Sequence, residues 1–260
     1  MRKLLCSFVV GLGLCCAHTA VATAAQDRKQ APASDPWQDA TVTHINRMPM
    51  TAHYLPFTTE SGALAQLRMD DAQRFQLNPQ TERRRSLNGV WKFKLVKSPS
   101  LALTDFFKTS YDVSGWQNIQ VPGSWELQGF DAPIYTDVTY PFEANPPLVP
   151  QDYNPVGHYV HEFTVPEEWK GMDIIMDFEG VESAFYLWIN GKRVGYSEDS
   201  RLPAHFNISP YLKKGKNRLA LKVFRFSDGS YLEDQDYWKY SGIERSVFIQ
   251  ARPKSRLNDY

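Results

Sequence analysis

An all-β sandwich is the fold this sequence predicts, on three observations. Ala184–Ile189 is a run rich in Phe, Tyr, Leu, Trp and Ile that leads through Asn190-Gly191 into residues 192–196. Asn and Gly both tolerate positive φ, the geometry a tight hairpin turn demands, so the two runs read as paired strands. Residues 218–226 alternate after a turn at Gly215-Lys216-Asn217, with Leu219, Leu221 and Val223 on one face and Arg218, Ala220 and Lys222 on the other. Turn signals recur at roughly 8–12 residues with no long helical period, the spacing of a sandwich.

The chain opens on an address. Met1-Arg2-Lys3 is a basic start, Leu4 to Ala17 an apolar stretch of 14 residues, and Ala22-Thr23-Ala24 fits the small-residue pattern of a cleavage site. A helix needs about 20 apolar residues to cross a bilayer. Residues 1–25 therefore read as a signal peptide, and the protein as exported to a periplasm or the extracellular space. A lipoprotein cysteine at Cys15 or Cys16 would follow Leu14 or Cys15 in place of the usual small residue. Cys6, Cys15 and Cys16 are the whole complement of cysteine, so the processed chain has no disulfide, no thiolate zinc site and no cysteine nucleophile. The 29 basic and 29 acidic residues give no net charge, and loss of Arg2 and Lys3 leaves 27 against 29. That balance offers no basic face for nucleic-acid phosphates. A mean hydropathy of −0.45 excludes a multi-spanning membrane protein.

Residues 26–80 read as a linker and an extended arm. Gln26 to Asp35 is polar and carries Pro32, while Met48-Pro49 and Leu55-Pro56 break any helix, so residues 36–80 are expected to drape over a neighbour. A short helix is expected from Leu64 to Phe75. From Ser86 onward the pattern is β, starting with Val90 to Leu95, and residues 81–252 form the sandwich domain. Tyr135 to Pro155 interrupts it with five of the 17 prolines, a stiff loop without a ladder. Such a loop is either a rigid surface connector or a segment shaped to meet a ligand or another domain.

Chemistry concentrates at residues 227–238. Asp228, Glu233, Asp234 and Asp236 lie there beside Tyr231, Tyr237 and Trp238. Carboxylates ligate hard cations such as Na⁺, Mg²⁺ or Ca²⁺. Set between aromatic faces they also bind sugars, accepting from hydroxyls while a ring stacks on the C–H face. The bland alternative is a solvated acidic loop. A third possibility makes Glu233 and Asp236 a glycosidase acid and nucleophile, about 5–5.5 Å apart, although neighbours on one loop normally point different ways. Glu198-Asp199-Ser200-Arg201 reads as a cation cluster or a solvated turn. The six histidines show no metal-ligand spacing; His158 and His161 fall on opposite faces of a strand. No G-x-S-x-G elbow and no phosphate loop occurs.

Several longer motifs carry a resemblance. Residues 85–93, R-S-L-N-G-V-W-K-F, resemble the opening of the sugar-binding domain of glycoside hydrolase family 2. V-P-G-S-W-E-L-Q-G at 121–129 and D-A-P-I-Y-T-D-V-T-Y-P at 131–141 are similar to the LacZ-type β-galactosidases of that family. So are G-V-E-S-A-F-Y-L-W-I-N-G-K-R-V-G-Y at 180–196, D-S-R-L-P-A-H-F at 199–206 and S-D-G-S-Y-L-E-D-Q-D-Y-W at 227–238. The resemblance runs from about Trp37 to the C-terminus and is thinnest over residues 48–82.

It implies a jelly-roll sandwich as the first of several domains, with a (β/α)₈ barrel as the third. The implied activity is hydrolysis of terminal non-reducing β-D-galactose. Asp236 would contact galactose hydroxyls and an active-site sodium, and Asp137 and Val138 would line the galactose pocket. Relatives often carry asparagine at position 137; aspartate accepts from the same hydroxyl but cannot donate to it. A magnesium site would draw on Asp39, Val42, Glu198 and Asp228, with Pro36 standing where relatives supply another carboxylate. The two catalytic glutamates belong to the barrel, outside these 260 residues, so the chain alone is expected to hydrolyse nothing. Residues 253–260 resemble the linker into the second domain. The implied partners are the rest of a β-galactosidase chain and further copies in a homo-oligomer, met by the proline-rich loop. The alternatives are a stand-alone galactose-binding module and an interaction domain complementing an enzyme that lacks its own head.

Overall fold

The computed structural model describes residues 35–70 and 81–259. The leader expected over residues 1–25 and the start of the linker lie outside them. The described residues form sixteen strands. In chain order these are β1 (His44–Ile45), β2 (Arg84–Ser86), β3 (Gly89–Val96), β4 (Gln117–Val121), β5 (Gly123–Ser124), β6 (Ile134–Thr136), β7 (Val156–Thr164) and β8 (Asp173–Phe178). There follow β9 (Val181–Glu182), β10 (Ala184–Ile189), β11 (Lys192–Glu198), β12 (Ala204–Asn207), β13 (Lys216–Phe224), β14 (Tyr237–Lys239), β15 (Gly242–Ile243) and β16 (Val247–Arg252).

Two sheets make the sandwich. A seven-stranded sheet runs β1-β11-β10-β13-β7-β3-β4 and a four-stranded sheet runs β12-β8-β16-β2. Between them lies one core, to which Leu219, Leu221 and Val223 contribute from β13, Trp91 and Phe93 from β3, and Met176, Phe178 and Ile249 from the smaller sheet. A second apolar layer covers the other face of the seven-stranded sheet. Ala220 and Phe224 meet Trp37 of the arm, Phe106 and Val149 there, with Phe142 of the proline-rich loop packed alongside. The expected alternation of β13 thus separates two cores instead of core from solvent. For the same reason β10 is buried throughout, and its sequence runs apolar without alternation.

The hairpin forms as expected, with Asn190 at φ 50° and Gly191 at φ 82°. His158 and His161 do face opposite ways on β7: His158 meets Phe106 in the outer layer, while His161 stacks on Trp91 at 4.7 Å. The helix begins earlier than expected, at Glu60–Leu67, because the Thr59 hydroxyl accepts from the Gly62 amide at 3.2 Å and caps it. Residues 71–75 of the expected helix lie outside the described residues.

The arm lies along this chain's own sandwich. Trp37, 3% exposed, stacks on Phe224 at 4.9 Å and 13° between planes. β1 then pairs with β11, and the Met48 amide donates to the His205 carbonyl at 2.9 Å. This approach requires Gly195 on β11. A Cβ there would sit 2.3 Å from the Ile45 carbonyl oxygen and 2.6 Å from the Phe206 ring. No helix among the described residues is long and apolar enough to cross a membrane.

Candidate functional site

Two short strands outside both main sheets bring distant motifs together. β6 and β14 form an antiparallel ribbon in which Thr136 faces Tyr237, Tyr135 faces Trp238 and Ile134 faces Lys239. Asp137 directly follows Thr136 and Asp236 directly precedes Tyr237, so both carboxylates leave the ribbon at the same end. The Tyr135 hydroxyl donates to Asp236 Oδ1 at 2.6 Å. That bond is the main cause holding the Tyr135 phenol above its ordinary range, and the charges of Asp236 and Asp137 add to it. The Tyr135 and Trp238 rings lie 5.4 Å apart at 45°, and Trp238 stacks on Tyr240 at 6.5 Å. Tyr135 is 51% exposed, Trp238 50% and Val138 88%, so the ribbon presents aromatic faces and two carboxylates on an open surface. This is the donor set a sugar requires: acceptors for hydroxyls beside a face for C–H groups.

Glu233 takes no part in that surface. Its carboxylate accepts from the amide and hydroxyl of Ser200, and its carbonyl accepts from the Tyr237 hydroxyl at 2.9 Å. Glu233 and Asp236 therefore point different ways, and the acid–nucleophile pairing within this loop falls. The loop is not a solvated one either. Lys239 Nζ donates to the Gln235 carbonyl and pairs with Asp234, while Asp228 is buried. The turn after β11 is equally tied down: Glu198 and Ser200 are buried, Asp199 takes φ 81°, and Arg201 pairs with Glu182 at 2.9 Å and Glu244 at 2.7 Å.

Of the residues expected at a magnesium site, Glu198 and Asp228 neighbour each other, and the arm brings Thr43, next to Val42, against Glu198. The Glu198 amide donates to the Thr43 carbonyl at 3.0 Å, beside Val42, whose amide donates to the Asp39 carbonyl at 2.8 Å. Glu198 accepts from the Tyr196 hydroxyl. Burial pushes the Glu198 carboxyl up to about 8, with the charges of Asp228 and Glu233 adding. Asp228 is raised by burial and by the charge of Asp39, and its Oδ2 is buried without a hydrogen-bond partner. Asp39 Oδ1 accepts from the Thr41 amide at 3.1 Å and hydroxyl at 2.6 Å. The neighbouring buried carboxyls of Glu198 and Asp228, one oxygen of the latter without a partner, are oxygen donors of the type a hard cation takes. Among the described residues no three His, Cys, Asp or Glu side chains are grouped closely enough to hold a metal by themselves. Backbone oxygens such as that of Val42 would have to complete the shell.

Sequence reasoning missed Tyr135, and also Arg225, which joins Asp131 and Glu126 across more than 90 residues. Neither shows a local pattern that would single it out. A cleft of about 660 Å³ opens within the proline-rich loop, lined by Phe142, Glu143, Asn145 and Tyr153, apart from the ribbon carboxylates.

A sandwich that carries an aromatic and carboxylate surface on an accessory ribbon belongs to the jelly-roll domains that bind carbohydrate. More narrowly, residues 84–253 match the sugar binding domain of the glycosyl hydrolases family 2, and the chain belongs to that family. It is similar to the β-galactosidase of Priestia megaterium, with 48% identity over 179 residues that cover 67% of this chain and 17% of that protein. The β-galactosidase of Klebsiella pneumoniae is 45% identical over 229 residues, 87% of this chain and 21% of its own length. The chain thus spans only about a fifth of these relatives. Among solved structures, Bacteroides uniformis β-glucuronidase 2, covalently bound to cyclophellitol-6-carboxylate aziridine, aligns with a TM-score of 0.51 and 27% identity. That alignment covers 66% of this chain and 18% of the glucuronidase.

Proposed function

We propose that residues 81–252 are the sugar-binding part of an exported β-galactosidase acting on terminal non-reducing β-D-galactose. The observation that carries this reading is the ribbon, which brings Asp137 and Asp236 to one end next to exposed Tyr135 and Trp238. Asp236 spends one oxygen on Tyr135 and keeps acceptor capacity for a sugar hydroxyl and a sodium ion. Asp137 supplies a second acceptor, and Val138 an apolar contact at the rim. The identity to β-galactosidases supports galactose as the sugar. The domain's task is orientation. The family resemblance assigns general acid/base and nucleophile to two glutamates outside these residues, and Glu233, bonded to Ser200, is not offered for either role.

Magnesium would be held by Asp39, Glu198, Asp228 and the Val42 carbonyl. Bound there, it would neutralise buried carboxylates and tie the arm to the loop that leads into β14. The signal-peptide pattern supports a periplasmic or extracellular location. The expected loop begins only after β6, since Tyr135 and Thr136 are paired strand residues; its proline-rich remainder, residues 137–155, supports contact with the rest of a longer chain and with further copies in a homo-oligomer.

The test is a chimera in which this chain replaces the matching residues of the Klebsiella pneumoniae β-galactosidase. The chimera should hydrolyse a chromogenic galactoside, and Asp236→Ala should lower kcat/KM about a hundredfold, the scale of a misplaced substrate. Undiminished turnover by a folded Asp236→Ala chimera would reject the reading. The 260-residue chain alone is expected to show no turnover.

A further inference from the structure

The ribbon that carries Asp137 and Asp236 is hydrogen-bonded to neither main sheet. A pair of three-residue strands has little stability of its own. Something must fix it. Arg225, the residue after β13, sits at its root with a side chain only 1% exposed. Its backbone amide donates to the Pro155 carbonyl at 3.0 Å, which anchors it to the seven-stranded sheet. Its guanidinium pairs with Asp131 and donates to the Ala132 carbonyl at 3.0 Å, both just ahead of β6. The same guanidinium reaches the carbonyl of Lys239, the last residue of β14, at 3.5 Å. Glu126 stands 3.6 Å away, fully buried, and accepts from the Ser241 amide at 3.0 Å with its other oxygen. Asp131 also accepts from the Tyr153 hydroxyl at 2.8 Å.

We infer that Arg225 is a positioning residue, clamped by Glu126 and Asp131, that sets where the ribbon holds Asp137 and Asp236. This rests on the sugar-binding reading of those two carboxylates. The clamp grips both strands at one end, and the carboxylates lie at the other. Asp137 lies five residue steps beyond Ala132, so at about 3.3 Å per residue the lever is up to about 16 Å long. Tilting it by about 5° moves the tip by about 1.4 Å, enough to spoil a hydrogen-bonded sugar. A planar guanidinium suits this task because its fork bonds several carbonyls and carboxylates in fixed directions; an ammonium keeps the charge without the fork.

The experiment uses the full chain, with Arg225→Met, Arg225→Lys and Asp131→Asn. Site-resolved amide exchange reads the ribbon over Ile134–Thr136 and at Trp238 and Lys239, with Tyr159 and Leu221 of β7 and β13 as internal references. Affinity for methyl β-D-galactoside is measured alongside in the chimera with the Klebsiella pneumoniae β-galactosidase, for wild type and each variant. Arg225→Met should speed exchange in the ribbon roughly tenfold or more while the references hold, since a buried charge loses its partner. Sugar affinity should fall with it, and Arg225→Lys should recover part of both. If Arg225→Met does not fold, Asp131→Asn, which leaves Glu126 paired, should give the same selective loosening in smaller measure. Unchanged ribbon exchange in a folded variant overturns the inference, as does equal loss in ribbon and references, which would mean ordinary destabilisation. A loosened ribbon in a chain whose wild-type chimera binds no methyl β-D-galactoside would sink the sugar reading while leaving Arg225's hold on the ribbon established.

Discussion

Trp37→Ala should detach the arm at a measurable cost. The indole is 3% exposed and lies nearly parallel to Phe224, so truncation removes a fully packed side chain together with a ring stack. A tryptophan buries about 150–250 Å², which at about 25 cal/mol per Å² corresponds to roughly 4–6 kcal/mol. Part of this is recovered because a freed arm regains backbone entropy, so a loss of about 3 kcal/mol is expected, at the low end for tryptophan truncation. Urea unfolding followed by far-UV circular dichroism should show the midpoint fall by about 1 M for a slope near 3 kcal/mol/M. Amide exchange adds the local signature: the Met48 amide, bonded to the His205 carbonyl, should lose protection before the sheets do. A midpoint shift under about 0.2 M with Met48 still protected would refute the claim that Trp37 holds the arm.

Two further outcomes follow from packing and charge. Gly195→Ala should cost about 3 kcal/mol or more by overpacking, because its Cβ meets the Ile45 carbonyl and the Phe206 ring. Gly171→Ala, at φ 84° in open space, should cost about 1 kcal/mol from strain alone; equal losses by thermal unfolding would contradict this. His158 accepts from the Leu103 amide through Nε2, so Nδ1 carries the proton toward the Lys94 carbonyl. Burial, then the charges of Lys222 and Lys94, lower it to about 4. The unfolded chain takes up that proton near pH 6.5 and the folded chain only near 4, so stability is intact above 6.5 and is lost as pH falls between the two. The loss at pH 4.5 should be about 2–3 kcal/mol. His158→Gln should be less sensitive to this change in urea midpoint, and an identical pH dependence would refute the assignment.

Local chemistry made the hairpin legible, since Asn190-Gly191 states its own turn. Local chemistry also explains β13, whose alternation places Leu219, Leu221 and Val223 in one core. That its other face is covered too was hidden, because Trp37 and Phe106 cover it from more than a hundred residues away. The turn at 198–201 looked solvated for the same reason: Glu233 and Glu244, which tie it down, come later in the chain. The ribbon was the least legible element. Three-residue strands have no period to detect, and their partners lie about a hundred residues apart. Resemblance named Asp137 and Asp236, but it did not reveal that a short ribbon brings them to one end.

The arm also settles a problem that every open sheet has. β11 would otherwise end the seven-stranded sheet with bare amides and carbonyls, ready to accept a strand from any passing chain. β1 covers two residues of it, and side chains finish the work. Asn46 Nδ2 donates to the Val194 carbonyl at 2.9 Å, and Arg47 donates to the Glu198 carbonyl at 2.9 Å. After Ile45 the backbone turns away through Asn46 at φ 56°, so the arm itself offers only a brief edge to others. The segment that carries Trp37 onto Phe224 thus also shields the β11 edge, and cutting it away should leave that edge open to pairing with other chains.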